Sequence, residues 1–246
     1  MNPQLLVLAS GPADNFAQGL YPRNLYEIDH APLLAHVIDS FAEFEATTSS
    51  VLLRSSEHQQ FATGNVVNLL SPHSTVLAIP DVTSGAAGSA LWAIDTLDHD
   101  APLIVANGDI VLTTPLRSRI LSELSHRDAT VVTFESVHPR WSYVALDDDG
   151  LVVRAREKHP ISKTATVGIY AYARAGDFFH SIQEMILKDD TFQGKFYVCP
   201  SLNQLILRGL RISTVPVARH DYFSLATPDG VGEYLRYRTS TGVAHA

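Results

Sequence analysis

With 246 residues, 46% of them hydrophobic, the chain is long enough to bury the core of one α/β domain, with room for a small appended lobe. Its formal charge of −8 comes without an acidic tail or a basic stripe, which argues against duplex nucleic acid as a partner, so any phosphate it binds must be held locally. The single cysteine, Cys199, excludes an intrachain disulfide and a cysteine-rich zinc site and fits a reducing compartment, with a buried structural thiol favoured over a reactive one. No signal-like start and no apolar run long enough to cross a bilayer are visible, so the expectation is a soluble cytoplasmic protein without a membrane partner.

In chain order, Leu5 to Ala9 reads as a first strand, and Leu33, Leu34, Val37, Ile38 and Phe41 recur at helical spacing between Pro32 and Phe44, completing a βα unit. Val51 to Arg54, Val76 to Ile79 and Pro102 to Ala106 read as further buried strands, with helices near Glu57 to Thr63 and Ser84 to Leu97 between them. The first half is therefore expected to be doubly wound. Ala129 to Phe134 continues the strands, Tyr143 to Arg156 suggests a hairpin around Asp147 to Gly150, and the sheet is expected to become mixed there. Ala165 to Ala173 alternates as a strand, Phe178 to Leu187 and Val198 to Leu207 suit helices, and Ile212 to Val217 is a last strand before a C-terminal helix. Thr239 to Ala246 reads as a frayed tail.

Three places carry chemistry. The apolar run from Pro102 stops at Asn107-Gly108-Asp109, which delivers a carboxylate to the carboxyl end of a strand, where α/β sheets bind ligands; it is also good turn chemistry. The turn from Ser10 to Phe16 sits where backbone N–H groups could cradle a phosphate, yet it holds one glycine, a proline and no cation before Arg23. Thr83 to Ala90 crowds two glycines and three alanines at a helix start, which lets a flat group such as a base approach, while Thr83 or Ser84 could simply cap the helix. Eleven histidines, among them His58, His73, His126, His138, His159, His180 and His220, lack ligand-like spacing and suit the surface or local hydrogen bonds. Trp141 and Tyr143 share a face of an expected strand and could wall a pocket, although core packing is the commoner role.

The ordered series Leu8-Ala9-Ser10-Gly11, Tyr21-Pro22-Arg23-Asn24-Leu25, Pro32-Leu33-Leu34, Gly85-Ala86-Ala87 and Asn107-Gly108-Asp109 resembles the sugar-phosphate nucleotidyltransferases. Trp141 to Val144, Asp149-Gly150, Glu157-Lys158, Ile161-Ser162, Ala165 to Tyr170, Gly194 to Val198 and Thr227-Pro228-Asp229 extend the likeness over nearly the whole chain, nearest to the small enzymes of capsule and other surface-polysaccharide synthesis. The resemblance implies a GT-A-like, Rossmann-related three-layer α/β/α domain around a mixed, mostly parallel sheet, with a nucleotide half of about residues 1–127 and an acceptor half of about 128–238. It implies Mg²⁺-dependent attack of a small phosphorylated substrate on the α-phosphorus of a nucleoside triphosphate, with release of pyrophosphate. In that scheme Asp109 binds the metal, Arg23 stands for a family lysine, and Ser10, Gly11, Thr83 and Gly85 meet the nucleotide. Ser142, Glu157, Lys158 and Gly168 face the second substrate, with Glu157 accepting from hydroxyls and Lys158 meeting a phosphate; alone, the Glu157-Lys158 pair reads equally well as a solvated strand end.

Departures fall on the chemistry. The family loop's later glycine, hydroxyl and arginine positions are Ala13, Asp14 and Asn15; Asp14 adds negative charge beside an expected polyanion; Lys195 stands where relatives often carry an acid. The second acidic metal ligand of many relatives is matched by Ser224 or Leu225, with Asp221 and Asp229 nearby. Two alternatives stay open: a catalytically reduced relative that binds nucleotide or sugar as a regulatory or scaffolding subunit, and a GT-A sugar transferase. A homo-oligomer is possible.

Overall fold

The computed structural model describes residues 2–11 and 21–242. The strands are β1 (Gln4–Leu8), β2 (Glu27–Ile28), β3 (Ala31–Pro32), β4 (Ser49–Arg54), β5 (Ser74–Ile79), β6 (Leu103–Asn107), β7 (Ile110–Leu112), β8 (Ala129–Glu135), β9 (Tyr143–Leu146), β10 (Val152–Arg156), β11 (Thr164–Tyr172), β12 (Ile212–Pro216) and β13 (Tyr222–Ser224). The helices are α1 (Leu33–Ser40), α2 (Ser55–Phe61), α3 (Thr63–Leu70), α4 (Ala86–Ala90), α5 (Arg117–Leu124), α6 (Ala175–Leu187), α7 (Val198–Leu207) and α8 (Pro228–Thr241).

Strand β1 is buried along its whole length because its alternate side chains enter different cores. Leu5, Val7 and Ala9 join a cluster with Leu34 and Val37 of α1, Ile120 of α5 and Tyr234 of α8, whereas Leu6 and Leu8 join Ala87 of α4, Phe178 of α6 and Leu202 of α7. Helices thus cover both faces, giving three α/β/α layers. This two-sided burial is why the strand sequences read as continuous apolar runs.

The central sheet has nine strands in the order β10-β9-β11-β6-β1-β4-β5, with β8 and β12 joined beside β11. Strands β5, β4, β1 and β6 are parallel neighbours; β11 pairs antiparallel with β6, β8 and β9, and β10 pairs antiparallel with β9. Since β12 runs parallel to β8, only β10 and β11 oppose the common direction, and the sheet is mixed but mostly parallel as expected.

Several local readings need correction. The helix placed near Glu57 to Thr63 is two helices, broken at Ala62, whose φ of 52° is left-handed. The expected helix to Phe44 ends at Ser40 and continues as a 3-10 turn, Ala42–Phe44. Ser84 to Leu97 is the short α4 followed by the 3-10 stretch Leu91–Thr96. Thr239 to Thr241, read as tail, complete α8, while residues 243–246 lie outside the described residues. Strands β7 and β13 and helix α5 carry no sequence expectation; β7 and β13 pair as a separate two-stranded ribbon that returns the chain to the end of β6. No helix among the described residues is long and apolar enough to cross a membrane.

Candidate active site

The two halves of the candidate site meet where β1 and β6 end side by side, with Leu8 paired to Asn107. The strand connections leave β1 in opposite directions here, β4 on one flank and β6 on the other, which makes this crevice the ligand position typical of open α/β sheets. Gly108 crosses over the end of β1 and donates its N–H to the Leu8 carbonyl at 3.0 Å. A Cβ on Gly108 would stand 2.5 Å from the Ala9 Cα, so only glycine permits this crossing.

Asp109, next in the chain, receives a hydrogen-bonded ion pair from Arg23, with Nη1 donating to Oδ2 at 3.1 Å. Arg23 is delivered by the 3-10 turn Arg23–Leu25, and its side chain is only 9% exposed. Its guanidinium also backs onto Gly11, whose added Cβ would lie 3.0 Å from Nη2, and its buried Nε has no partner among the described residues. Arg23 thus lies between Gly11, which follows Ser10, and Asp109. Ala13, Asp14 and Asn15, where the sequence departs from the family loop, lie outside the described residues.

Beneath this cluster is a buried network the sequence reading missed. Asn24 Nδ2 donates to the Ala9 carbonyl at 2.8 Å and to both carboxyl oxygens of Glu57, at 3.0 and 3.2 Å, while Arg54 Nε donates to the Ser10 carbonyl at 3.0 Å. Burial pushes the Glu57 carboxyl above its ordinary range against the opposing pull of Asn24, Arg54 and Arg23. An acid two residues into the helix that follows β4 was the available signal.

The other expected residues fall into two further groups. Ser142 Oγ donates to Glu157 Oε2 at 2.5 Å, and the Ser142 carbonyl accepts from Thr166 of β11, so β9, β10 and β11 converge on the buried Glu157. Burial raises the Glu157 carboxyl also, with Ser142 and Lys158 opposing. Lys158, exposed at a left-handed φ of 48°, places its ammonium 5.4 Å from the centre of the Tyr197 ring. Gly168 lies at the β11 irregularity between Thr166 and Tyr170, with φ of 94°, and an added Cβ would strike the Asn107 side-chain amide at 2.5 Å. Gly168 thus ties this half to the end of β6, although no described hydrogen bond joins Lys158 to Asp109.

Around Thr83, capping is not the arrangement. Gly85 is the residue before α4 and no side chain caps the helix; Thr83 Oγ1 instead lies 2.7 Å from Ser89 Oγ. The group that approaches Gly85, at φ of 114°, is the backbone of Phe196: an added Cβ would lie 2.4 Å from its carbonyl oxygen, and Phe196 N–H donates to the Ser84 carbonyl at 2.7 Å. Packing within the chain therefore explains the glycine, and Gly88 likewise makes room for the Ser84 hydroxyl. Trp141 precedes β9, and it and Tyr143 pack into the core: Trp141 meets Phe134 edge-on, and the Tyr143 hydroxyl donates to the His138 carbonyl. Cys199 is buried, and burial raises its thiol far above the usual range, in keeping with a structural role.

The metal donor set is small. No group of three or more His, Cys, Asp or Glu among the described residues could hold an ion. Of the two positions that match the second acid of many relatives, Ser224 pairs with Ile110, and Leu225, apolar and buried, donates its N–H to the Asp109 main-chain carbonyl at 2.7 Å. Asp221 is no substitute, since its carbonyl accepts from Thr113, four residues further along the β7–β13 ribbon, and its carboxyl receives the Ala218 N–H. Mg²⁺ is commonly held by one or two carboxylates plus substrate phosphates, so this donor set fits an ion that arrives with a triphosphate rather than a resident one.

The raised acids predict a pH effect. For each, the unfolded chain titrates near 4.5 and the folded chain higher, so the native state binds the extra proton and stability falls as pH rises from 4.5 through the folded value, then levels. Glu57→Gln/Glu157→Gln should flatten that fall in urea midpoints measured from pH 4.5 to 7; parallel curves for the two proteins would refute it.

No protein-family model matches the chain. In sequence it is 26% identical over 227 residues to the bifunctional protein GlmU of Paraburkholderia xenovorans, covering 85% of this chain and 46% of that protein. The chain thus spans about half the length of the curated relatives it matches. In structure it superposes on the nucleoside-diphosphate-sugar pyrophosphorylase of Vibrio cholerae with TM-score 0.82 and 22% identity, over 94% of this chain and 99% of that one. The inositol-1-phosphate CTP transferase of T. maritima superposes with TM-score 0.75 and 14% identity, over 99% of this chain and 98% of that one.

Proposed function

We propose that this chain, a relative of the sugar-phosphate nucleotidyltransferases in sequence and fold, is an NTP-dependent nucleotidyltransferase that joins a nucleotide to a sugar phosphate or another small phosphorylated compound. The convergence of Arg23 and Asp109 on Ser10 and Gly11 at the switch point of the sheet carries this reading. An oxygen of the acceptor phosphate attacks the α-phosphorus, the bond from that phosphorus to the bridging oxygen breaks, and pyrophosphate leaves.

Residues up to about 127 form the nucleotide half in this reading, and residues from about 128 to 238 the acceptor half. Ser10 and Gly11 present backbone to the phosphates, Arg23 neutralises their oxygens, and the Thr83–Gly85 loop, fixed by Phe196, borders the base. Asp109 would hold Mg²⁺, which supplies Lewis-acid polarisation of the phosphates when bound. Glu157, oriented by Ser142, accepts from acceptor hydroxyls; Lys158 meets the acceptor phosphate; and Gly168 keeps the wall beside Asn107 open. A precursor of surface polysaccharide suits the resemblance seen in the sequence. We place the enzyme in the cytoplasm, where nucleoside triphosphates are held.

One observation favours a second reading, a ligand-binding relative without turnover: neither Ser224 nor Leu225, the positions that match the relatives' second acid, carries a carboxylate. Pyrophosphate release separates the two. Each NTP with Mg²⁺ and a panel of sugar phosphates and phosphorylated alcohols or amino compounds should give one pair that turns over well above an Asp109→Asn control. Release no greater than that control across the panel, alongside tight binding of a nucleotide sugar, would establish the second reading instead.

A further inference from the structure

We infer that Arg23 and Asp109 form an internal stand-in pair, in which the guanidinium occupies the place of the divalent cation and the carboxylate the place of a phosphate, so that metal and polyanion bind only together. The idea rests on the proposed triphosphate reading, and its first arm uses the metal alone. Asp109 Oδ2 is taken by Arg23 Nη1 at 3.1 Å in a pair whose side chains are only 9% and 17% exposed. A cation approaching this carboxylate by itself meets a fixed positive charge within one side-chain contact, in surroundings that screen it poorly. An anion approaching by itself meets the carboxylate that Arg23 already holds.

Among the described residues the guanidinium is nonetheless left with unused capacity. Its Nε is buried without a partner among the described residues, a cost that persists unless something supplies an acceptor. Among the described residues Asp109 engages one of the five N–H donors of Arg23, and Gly11 puts no side chain between the guanidinium and its own backbone. A phosphate there gives Arg23 a bidentate acceptor that the described residues do not supply, which frees Asp109 for the cation that the phosphate brings. One internal pair is exchanged for two external ones, and neither ligand can complete the exchange alone. Before the triphosphate arrives, the Asp109 carboxylate is held by Arg23.

Equilibrium dialysis with ⁵⁴Mn²⁺ tests this on the intact chain. Wild-type protein should take up little Mn²⁺ alone, and Arg23→Gln should take it up at least about tenfold more tightly, within the usual range of coupling between two sites. Arg23→Lys, which keeps the charge, should stay masked, and Asp109→Asn/Arg23→Gln should lose the site. Inorganic tripolyphosphate should then bring Mn²⁺ onto the wild type but add little to Arg23→Gln. Circular dichroism confirms that each variant is folded, and Arg23→Lys provides a second, gentler comparison should Arg23→Gln unfold. Mn²⁺ binding to the wild type alone as tight as to Arg23→Gln, or unmasking in Arg23→Lys, would overturn the inference. Failure of masking with nucleotidyl transfer intact defeats the exchange and leaves the enzyme; masking without any transfer leaves the pair and defeats the enzyme.

Discussion

Asp109→Asn should lower nucleotidyl transfer about a thousandfold, the loss expected when the group that positions a cation and its transition-state charge is removed. Asparagine is the informative change. Asp109→Ala would leave the nearly buried Arg23 guanidinium unpaired, and stranding one partner of such a pair costs about 3–5 kcal/mol, which would confuse folding with function. The amide oxygen of asparagine still accepts from Arg23 Nη1, so the turn that places residue 109 after Gly108 should survive and the melting temperature should stay close to that of the wild type. Steady-state rates and a thermal melt on the same preparation check both halves. Retention of more than a tenth of wild-type turnover would remove Asp109 from the chemistry.

Gly108→Ala should damage the same site through the backbone. The added Cβ would lie 2.5 Å from the Ala9 Cα, 2.6 Å from the Ala9 Cβ and 2.9 Å from the Leu8 carbonyl oxygen. Two of these are main-chain atoms at the end of β1, which is held by β4 and β6, so no side-chain rotation relieves the clash. Overpacking of this kind costs about 1–3 kcal/mol. At about 2–4 °C per kcal/mol for a chain of this size, the melting temperature should fall by several degrees. The variant relaxes by lifting the 107–109 crossing off β1, which opens the Arg23–Asp109 contact and should weaken nucleotide binding more than it weakens the fold. Calorimetric titration beside thermal melts checks this; unchanged stability and affinity together would contradict the close approach.

The large elements were legible because burial imposes its pattern on them. Leu5 to Ala9 and Leu103 to Ala106 are apolar throughout since both sheet faces are covered, and α7 spans Val198–Leu207 as its periodicity indicates. Elements that bury little or are very short left little trace: α5 buries only Ile120, and β7 and β13, though buried, are three residues each and joined across more than a hundred positions. The site divided in the same way. Asp109 was readable from an apolar strand ending in an acid, whereas its partner Arg23 lies 86 residues away and nothing local announces the contact. At Gly85 the sequence shows that something comes close to the backbone but not what; within the chain it is the Phe196 backbone. Glu57 and Arg54 escaped because their value comes from what they hold, the Asn24 amide and the Ser10 carbonyl.

The transfer of label from an NTP carrying ³²P at the α position tests the central claim most directly, using the acceptor that gives the greatest pyrophosphate release. The wild type should move the label into a product that contains the acceptor and resists phosphatase, mole for mole with pyrophosphate, and Asp109→Asn should not. Label recovered only in unreacted NTP or in free nucleoside monophosphate would contradict the assignment of this cleft as a nucleotidyltransferase site.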